Sequence, residues 1–132
     1  MGRGIAYAAA VGGFETLLHD VSEGALERSL AKILEDLEQG VARGKLTPAE
    51  AEAAGKRVRA EASLEAATRA ADFVIEAVPE DIALKLTLFG RLDELARSDV
   101  VLATNTSALS PTQIASATKR PERVLGMHFV NP

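Results

Sequence analysis

The chain has 132 residues, 47% hydrophobic and 26% charged, enough for one globular domain with a real core. Its net charge of −4 argues against non-specific nucleic-acid binding, which needs a basic face. With no cysteine there are no disulfides, thiolate nucleophiles or zinc–thiolate sites, no metal is expected, and no apolar run approaches the ~20 residues of a membrane-spanning helix.

Residues 1–11 are rich in alanine, with Gly2 and Gly4 near the start, and predict a buried helix that Gly12-Gly13 stops. Residues 14–19 predict a short strand. Ser22 can cap a long helix, whose apolar stripe is Leu26, Leu30, Ile33, Leu34, Leu37 and Val41 and which Gly44 ends. Thr47-Pro48-Ala49-Glu50 is a capping box with proline at the first helical position, opening a helix to about Gly55. A brief edge strand is predicted over 57–62, and Ser63 caps a short helix over 64–70.

Residues 72–77 read as a buried strand. Ile82, Leu86, Phe89 and Leu92 mark a helix over about 80–96. Another buried strand is predicted over 100–103. Ser110-Pro111-Thr112-Gln113 repeats the capping box and opens a helix to about 117, and 123–127 is a last strand. Strands alternate with helices, and their apolar runs are those of parallel strands covered on both faces. The pattern predicts a doubly wound α/β domain.

The dinucleotide fingerprint of such a domain is a strand, G-x-G-x-x-G, a helix, and an acidic residue closing the second strand about 20 residues on. Gly2 at a helix start and Asp20 after a strand have the spacing of its second half. The helix N-terminus would offer free N–H groups to a pyrophosphate. Asp20 would accept hydrogen bonds from ribose hydroxyls and repel a 2′-phosphate, which favours NAD over NADP. A glycine before a helix and an aspartate after a strand are also commonplace.

Three further strings carry a resemblance: DFVIEAVPED over 72–81, ATNTSALS over 103–110 and GMHFVNP over 126–132, joined by MGRGIA over 1–6. In order and spacing they resemble the NAD-binding domain of 3-hydroxyacyl-CoA dehydrogenases, across essentially the whole chain. The resemblance implies a Rossmann doubly wound parallel sheet, an NAD cofactor and an acyl-CoA substrate, in fatty-acid or butanoate metabolism in the cytoplasm. His128 matches the catalytic histidine, the general base toward the 3-hydroxyl; imidazole suits this because its unperturbed pKa lies near working pH. Ser107 matches a serine near both nicotinamide and acyl thioester. Asn131 matches an asparagine near the nicotinamide, Glu80 and Lys85 match cofactor-contacting positions, and Asp20 matches the adenosine-ribose aspartate. Arg43 and Lys45, on the loop after the long helix, could meet CoA phosphates or form only a solvated basic turn. His19 and Tyr7 read as structural.

Measured against the family pattern, the first strand with its leading glycines falls outside 1–132. So do a glutamate that orients the histidine, expected about a dozen residues past His128, and a C-terminal helical domain that completes the acyl pocket and makes a homodimer. Residues 1–132 taken alone are therefore expected to fold poorly and to be inactive. Two other readings stay open from the sequence: another Rossmann dehydrogenase of the β-hydroxyacid type, and a non-catalytic dinucleotide- or CoA-binding module.

Overall fold

The computed structural model describes residues 1–130, and the chain divides into two compact units, Met1–Ala67 and Thr68–Pro132. Asn131 lies outside the described residues.

The first unit contains α1 (Gly2–Val11), β1 (Thr16–Leu18), α2 (Glu23–Ala42), α3 (Pro48–Arg57) and β2 (Val58–Ala60). β1 and β2 are parallel, in register from Thr16↔Val58 to Leu18↔Ala60. Sequence chemistry explains the element ends. Ser22 Oγ accepts the Ala25 N–H at the start of α2. At α3 the whole capping box forms: Thr47 Oγ1 accepts from Glu50 N at 3.2 Å, and Glu50 Oε2 accepts from Thr47 N at 2.7 Å. The chain leaves α1 and α2 through Gly13 (φ 96°) and Gly44 (φ 67°), left-handed positions that favour glycine. Ala6 and Ala10 of α1, Ile33 and Leu37 of α2, Ala54 of α3 and Val58 of β2 pack as one core, with Tyr7 against it. α1 is thus buried on one face rather than all round. The strand expected over 14–19 shortens to Thr16–Leu18, because the Phe14 N–H is used on Ala9 O to close α1.

α4 (Leu64–Ala70) crosses the boundary between the units and is capped by Ser63, whose Oγ accepts from Ala66 N. The second unit contains β3 (Phe73–Glu76), α5 (Ile82–Leu95), β4 (Val101–Thr104), α6 (Pro111–Ala115), a 3-10 turn (Pro121–Arg123) and β5 (Val124–Gly126). Its sheet is parallel with order β3-β4-β5; Glu76 stands beside Thr104, and Thr104 beside Gly126. β4 is central, and its Leu102, Ala103 and Thr104 are wholly buried. Among the described residues β1 and β3 each have a strand on one side only. That corrects the expectation of a buried strand over 72–77: Phe73 is 44% exposed, and Val74 and Ile75 are half-buried.

Two more expectations shift. At α6 only the first half of the capping box forms, with Ser110 Oγ accepting from Gln113 N at 3.3 Å. α5 begins at Ile82 with Asp81 as its cap, so Glu80 stands before the helix rather than in its first turn. The far end of α5 is gathered by the Arg120 guanidinium, which pairs with Asp93 Oδ1 at 2.6 Å and donates to the carbonyls of Asp93, Ala96 and Arg97.

The architecture is α/β with parallel sheets. Within each unit the paired strands run parallel, as in a doubly wound domain.

α6 lies so close to β5 that a Cβ on Gly126 would stand 2.9 Å from Pro111 Cγ. Gly126→Ala is therefore expected to destabilise the protein by about 1–3 kcal/mol through overpacking, with part of the loss recovered in Gly126→Ala/Pro111→Ala. Denaturant melts of the complete protein as wild type, Gly126→Ala, Pro111→Ala and the double variant check this.

Candidate active site

In a parallel sheet of this type ligands bind outside the carboxyl ends of the strands. In the second unit these ends carry Glu76 and the turn to Glu80, Asn105 to Ser107, and His128.

The turn after β3 is organised around a buried lysine. Lys85, in the first turns of α5, has no solvent exposure. Its Nζ lies 2.7 Å from Glu76 Oε1, 3.2 Å from Glu80 Oε2 and 3.4 Å from Val78 O. Glu76 is itself buried; its Oε1 also accepts from Val78 N and its Oε2 from Thr104 Oγ1, both at 2.7 Å. Every member of the buried pair is therefore hydrogen-bonded, the condition under which a buried ion pair is tolerated. The sequence reading expected Lys85 to touch a cofactor. The structure encloses its ammonium group instead, and the carboxylate that reaches the surface beside it is that of Glu80.

Glu80 Oε1 accepts from Thr106 Oγ1 at 2.5 Å, from Ser107 N at 2.9 Å and from Ala108 N at 3.4 Å. The Thr106 hydroxyl in turn accepts from Leu109 N at 2.9 Å. Thr106 is a buried hub in an otherwise open loop, and Ser107, next to it, stays exposed. The Thr106 hydroxyl, then the Ser107 N–H and Lys85, hold the Glu80 carboxyl down at about 2 against the pull of desolvation. Glu80 is thus ionised at neutral pH and acts only as an acceptor.

The β4–β5 ladder continues past both strands. Met127 N donates to Thr104 O at 3.0 Å, and Phe129 N donates to Asn105 Oδ1 at 2.7 Å. His128, between these two anchored amides, is exposed, and its imidazole makes no hydrogen bond to a described residue. The structure thus brings Glu80, Lys85, Ser107 and His128 to one sheet edge.

The first unit holds the remaining candidates, apart from Asn131. Gly2 opens α1, whose N-cap Met1 makes no side-chain capping bond, so the first-turn N–H groups have no side-chain acceptor there. Asp20 follows β1 and is exposed; its Oδ1 accepts from Ser22 N at 2.9 Å, and its second oxygen has no partner among the described residues. These two features fit an anionic pyrophosphate and a ribose diol. His19 is structural: its Nδ1–H donates to the Glu61 carbonyl at 2.9 Å. Arg43 and Lys45 are exposed on the turn between α2 and α3, and α2, 20 residues long, separates them from Asp20 by about 30 Å. The structure does not bring them together with Asp20.

Sequence reasoning missed Glu76, Thr104, Asn105 and Thr106. A signal for the first existed, since Glu76 is a charge inside the apolar run FVIEAV.

Two outcomes test this network. Lys85→Met leaves the Glu76 carboxylate buried without its cation and is expected to cost about 3–5 kcal/mol in chemical denaturation. The lowered Glu80 ionisation contributes stability that is present in full above pH 4.5 and is lost as pH falls toward 2. Glu80→Gln should therefore flatten the acid side of the stability–pH curve across that window and leave its slope above pH 6 unchanged.

Comparison with known proteins accords with this geometry. Residues 1–132 match the family described as 3-hydroxyacyl-CoA dehydrogenase, NAD binding domain. The chain is 42% identical over 132 residues to a probable 3-hydroxybutyryl-CoA dehydrogenase of Bacillus subtilis, covering all of this chain and 46% of that protein. It is 45% identical to a 3-hydroxyadipyl-CoA dehydrogenase of Escherichia coli, covering all of this chain and 28% of that one. The crystal structure of a 3-hydroxybutyryl-CoA dehydrogenase from Escherichia coli superposes with a TM-score of 0.95 at 45% identity, over all of this chain and 28% of its own. The chain thus spans about half the length, or less, of the curated relatives it matches. With an α/β fold of parallel strands and a match from its first residue to its last, this chain belongs to the NAD-binding domain family of the 3-hydroxyacyl-CoA dehydrogenases.

Proposed function

We propose that the protein oxidises 3-hydroxyacyl-CoA to 3-ketoacyl-CoA, and catalyses the reverse reaction, with NAD as the redox partner and His128 as general base and acid. The observation that carries this reading is the placement of His128 and Ser107 beyond the ends of the neighbouring strands β5 and β4, both exposed and both held through backbone amides. Membership of an NAD-binding family, and the names of the relatives that span the whole chain, add support.

The residues present fit the cofactor. Asp20 has a carboxylate oxygen to spare for a ribose hydroxyl, and its charge disfavours a 2′-phosphate. The uncapped N-terminus of α1, at Gly2, suits a pyrophosphate. NAD, when bound, supplies the acceptor for the hydride that leaves C3. His128 takes the proton of the 3-hydroxyl as the carbonyl forms, and in reduction its imidazolium polarises the ketone and returns that proton. Ser107 Oγ offers a hydrogen bond to the substrate's oxygen or thioester. Glu80 fixes the Ser107 backbone through its N–H, and Lys85 acts through Glu80. Asn131 is assigned to the nicotinamide side of the site, and Arg43 and Lys45 to the phosphates of CoA.

For the complete protein we read a cytoplasmic homodimer whose further domain closes the acyl pocket, as the family resemblance implies. No helix of the described residues is long and apolar enough to cross a membrane.

His128→Ala in the complete protein should lower the turnover of acetoacetyl-CoA with NADH by about 10²–10⁴-fold and leave NADH binding, followed by fluorescence titration, within about twofold of wild type. Unchanged turnover would refute the enzymatic assignment of His128 and favour a binding module.

A further inference from the structure

The structure assigns Asn105 as a positioning residue that sets His128 by holding the backbone amide next to it. β5 ends at Gly126, and the regular ladder to β4 makes one more bond, Met127 N to Thr104 O. Beyond that point no backbone carbonyl of β4 receives the next amide. The Asn105 side chain takes its place: Oδ1 accepts the Phe129 N–H at 2.7 Å. An N–H only donates, so the amide orientation of Asn105 is fixed by chemistry, with oxygen toward Phe129. His128 therefore stands between two tethered amides, although its own side chain is exposed and unpaired among the described residues.

The other end of the tether is equally anchored. Asn105 N donates to Glu76 O at 2.8 Å, which extends the β3–β4 ladder, and Asn105 is followed directly by buried Thr106. One residue thus joins the tip of β3, the loop that carries Ser107, and the segment that carries His128. Ser107 is fixed by Glu80 and His128 by Asn105, so the spacing between them is set by the dipeptide 105–106 rather than by either side chain. Small misplacement of a catalytic group is costly: a shift of about 1 Å can lose about a hundredfold in rate.

This inference rests on the proposed role of His128 as the base, and the experiment separates the two. In the complete protein, Asn105→Ala should speed hydrogen exchange at the Phe129 amide by at least about tenfold. In the same variant kcat should fall about ten- to a hundredfold with NADH affinity unchanged. Asn105→Asp, which keeps an acceptor at the same reach, should retain the protection and most of kcat. Asn105→Gln, which moves the acceptor by one methylene, should behave like the alanine variant and serves if alanine prevents folding. Loss of Phe129 protection without loss of kcat would overturn the inference, as would equal damage in the aspartate and glutamine variants. Failure of the His128 assignment shows itself separately, as turnover retained in His128→Ala, whereas the exchange rate at Phe129 reads the tether directly.

Discussion

A lysine sealed inside an α/β layer has to meet an anion, and this one requirement organises the carboxyl edge of the three-stranded sheet. Lys85 has no contact with solvent, so Glu76 and Glu80 must supply its counter-charges. A fully buried unpaired ammonium would cost several kcal/mol. Glu76 in turn draws Thr104 and the Val78 N–H onto its oxygens, and this bonds the last residues of β3 and β4 to each other through side chains as well as through the ladder. Glu80 carries the order outward to Thr106, Ser107 and Ala108. A charge buried at the base of the turn is thereby converted into a fixed backbone at the surface, where a ligand would meet it.

That arrangement reconciles two demands. A reacting side chain must be accessible, and it must be still. Ser107 and His128 are exposed, yet the amide on Ser107 and those on both sides of His128 are bound to groups rooted in the sheet. The immobilising bonds act on the backbone and leave the hydroxyl and the imidazole uncommitted. Preorganisation of this kind lowers the entropic cost of bringing reactants into line.

Much of this was legible in the residues. The alternation of helix and strand followed from apolar periodicity, and the caps at Ser22, Thr47 and Ser63 from short-range side-chain chemistry that needs no tertiary context. The spacing of Gly2 and Asp20, with the strings around Ser107 and His128, led to the family. What stayed hidden depends on pairs distant in sequence. Lys85 matched a cofactor-contacting position by resemblance, and its burial stayed hidden because it depends on Glu76 nine residues earlier. Thr106 lies in the string over 103–110 with no local sign of its partner, because its contact with Glu80 spans 26 residues. Asn105 makes its decisive bond 24 residues away, to an amide that no local rule marks as needing an acceptor.

α5 is pinned at both ends. Its start bears Lys85 inside the buried ion pair, and its finish lies under the planar fork of Arg120, which collects three carbonyls and the Asp93 carboxylate. A rod clamped this way gives its outward side little structural duty. Among the described residues the Thr87 side chain bonds only back to Ala83, and that of Glu94 only to Arg91. Those outer positions are the natural handles for a spectroscopic label: a probe mounted on them would ride a stiff strut whose buried end touches the reactive rim, and would register movement there without disturbing it.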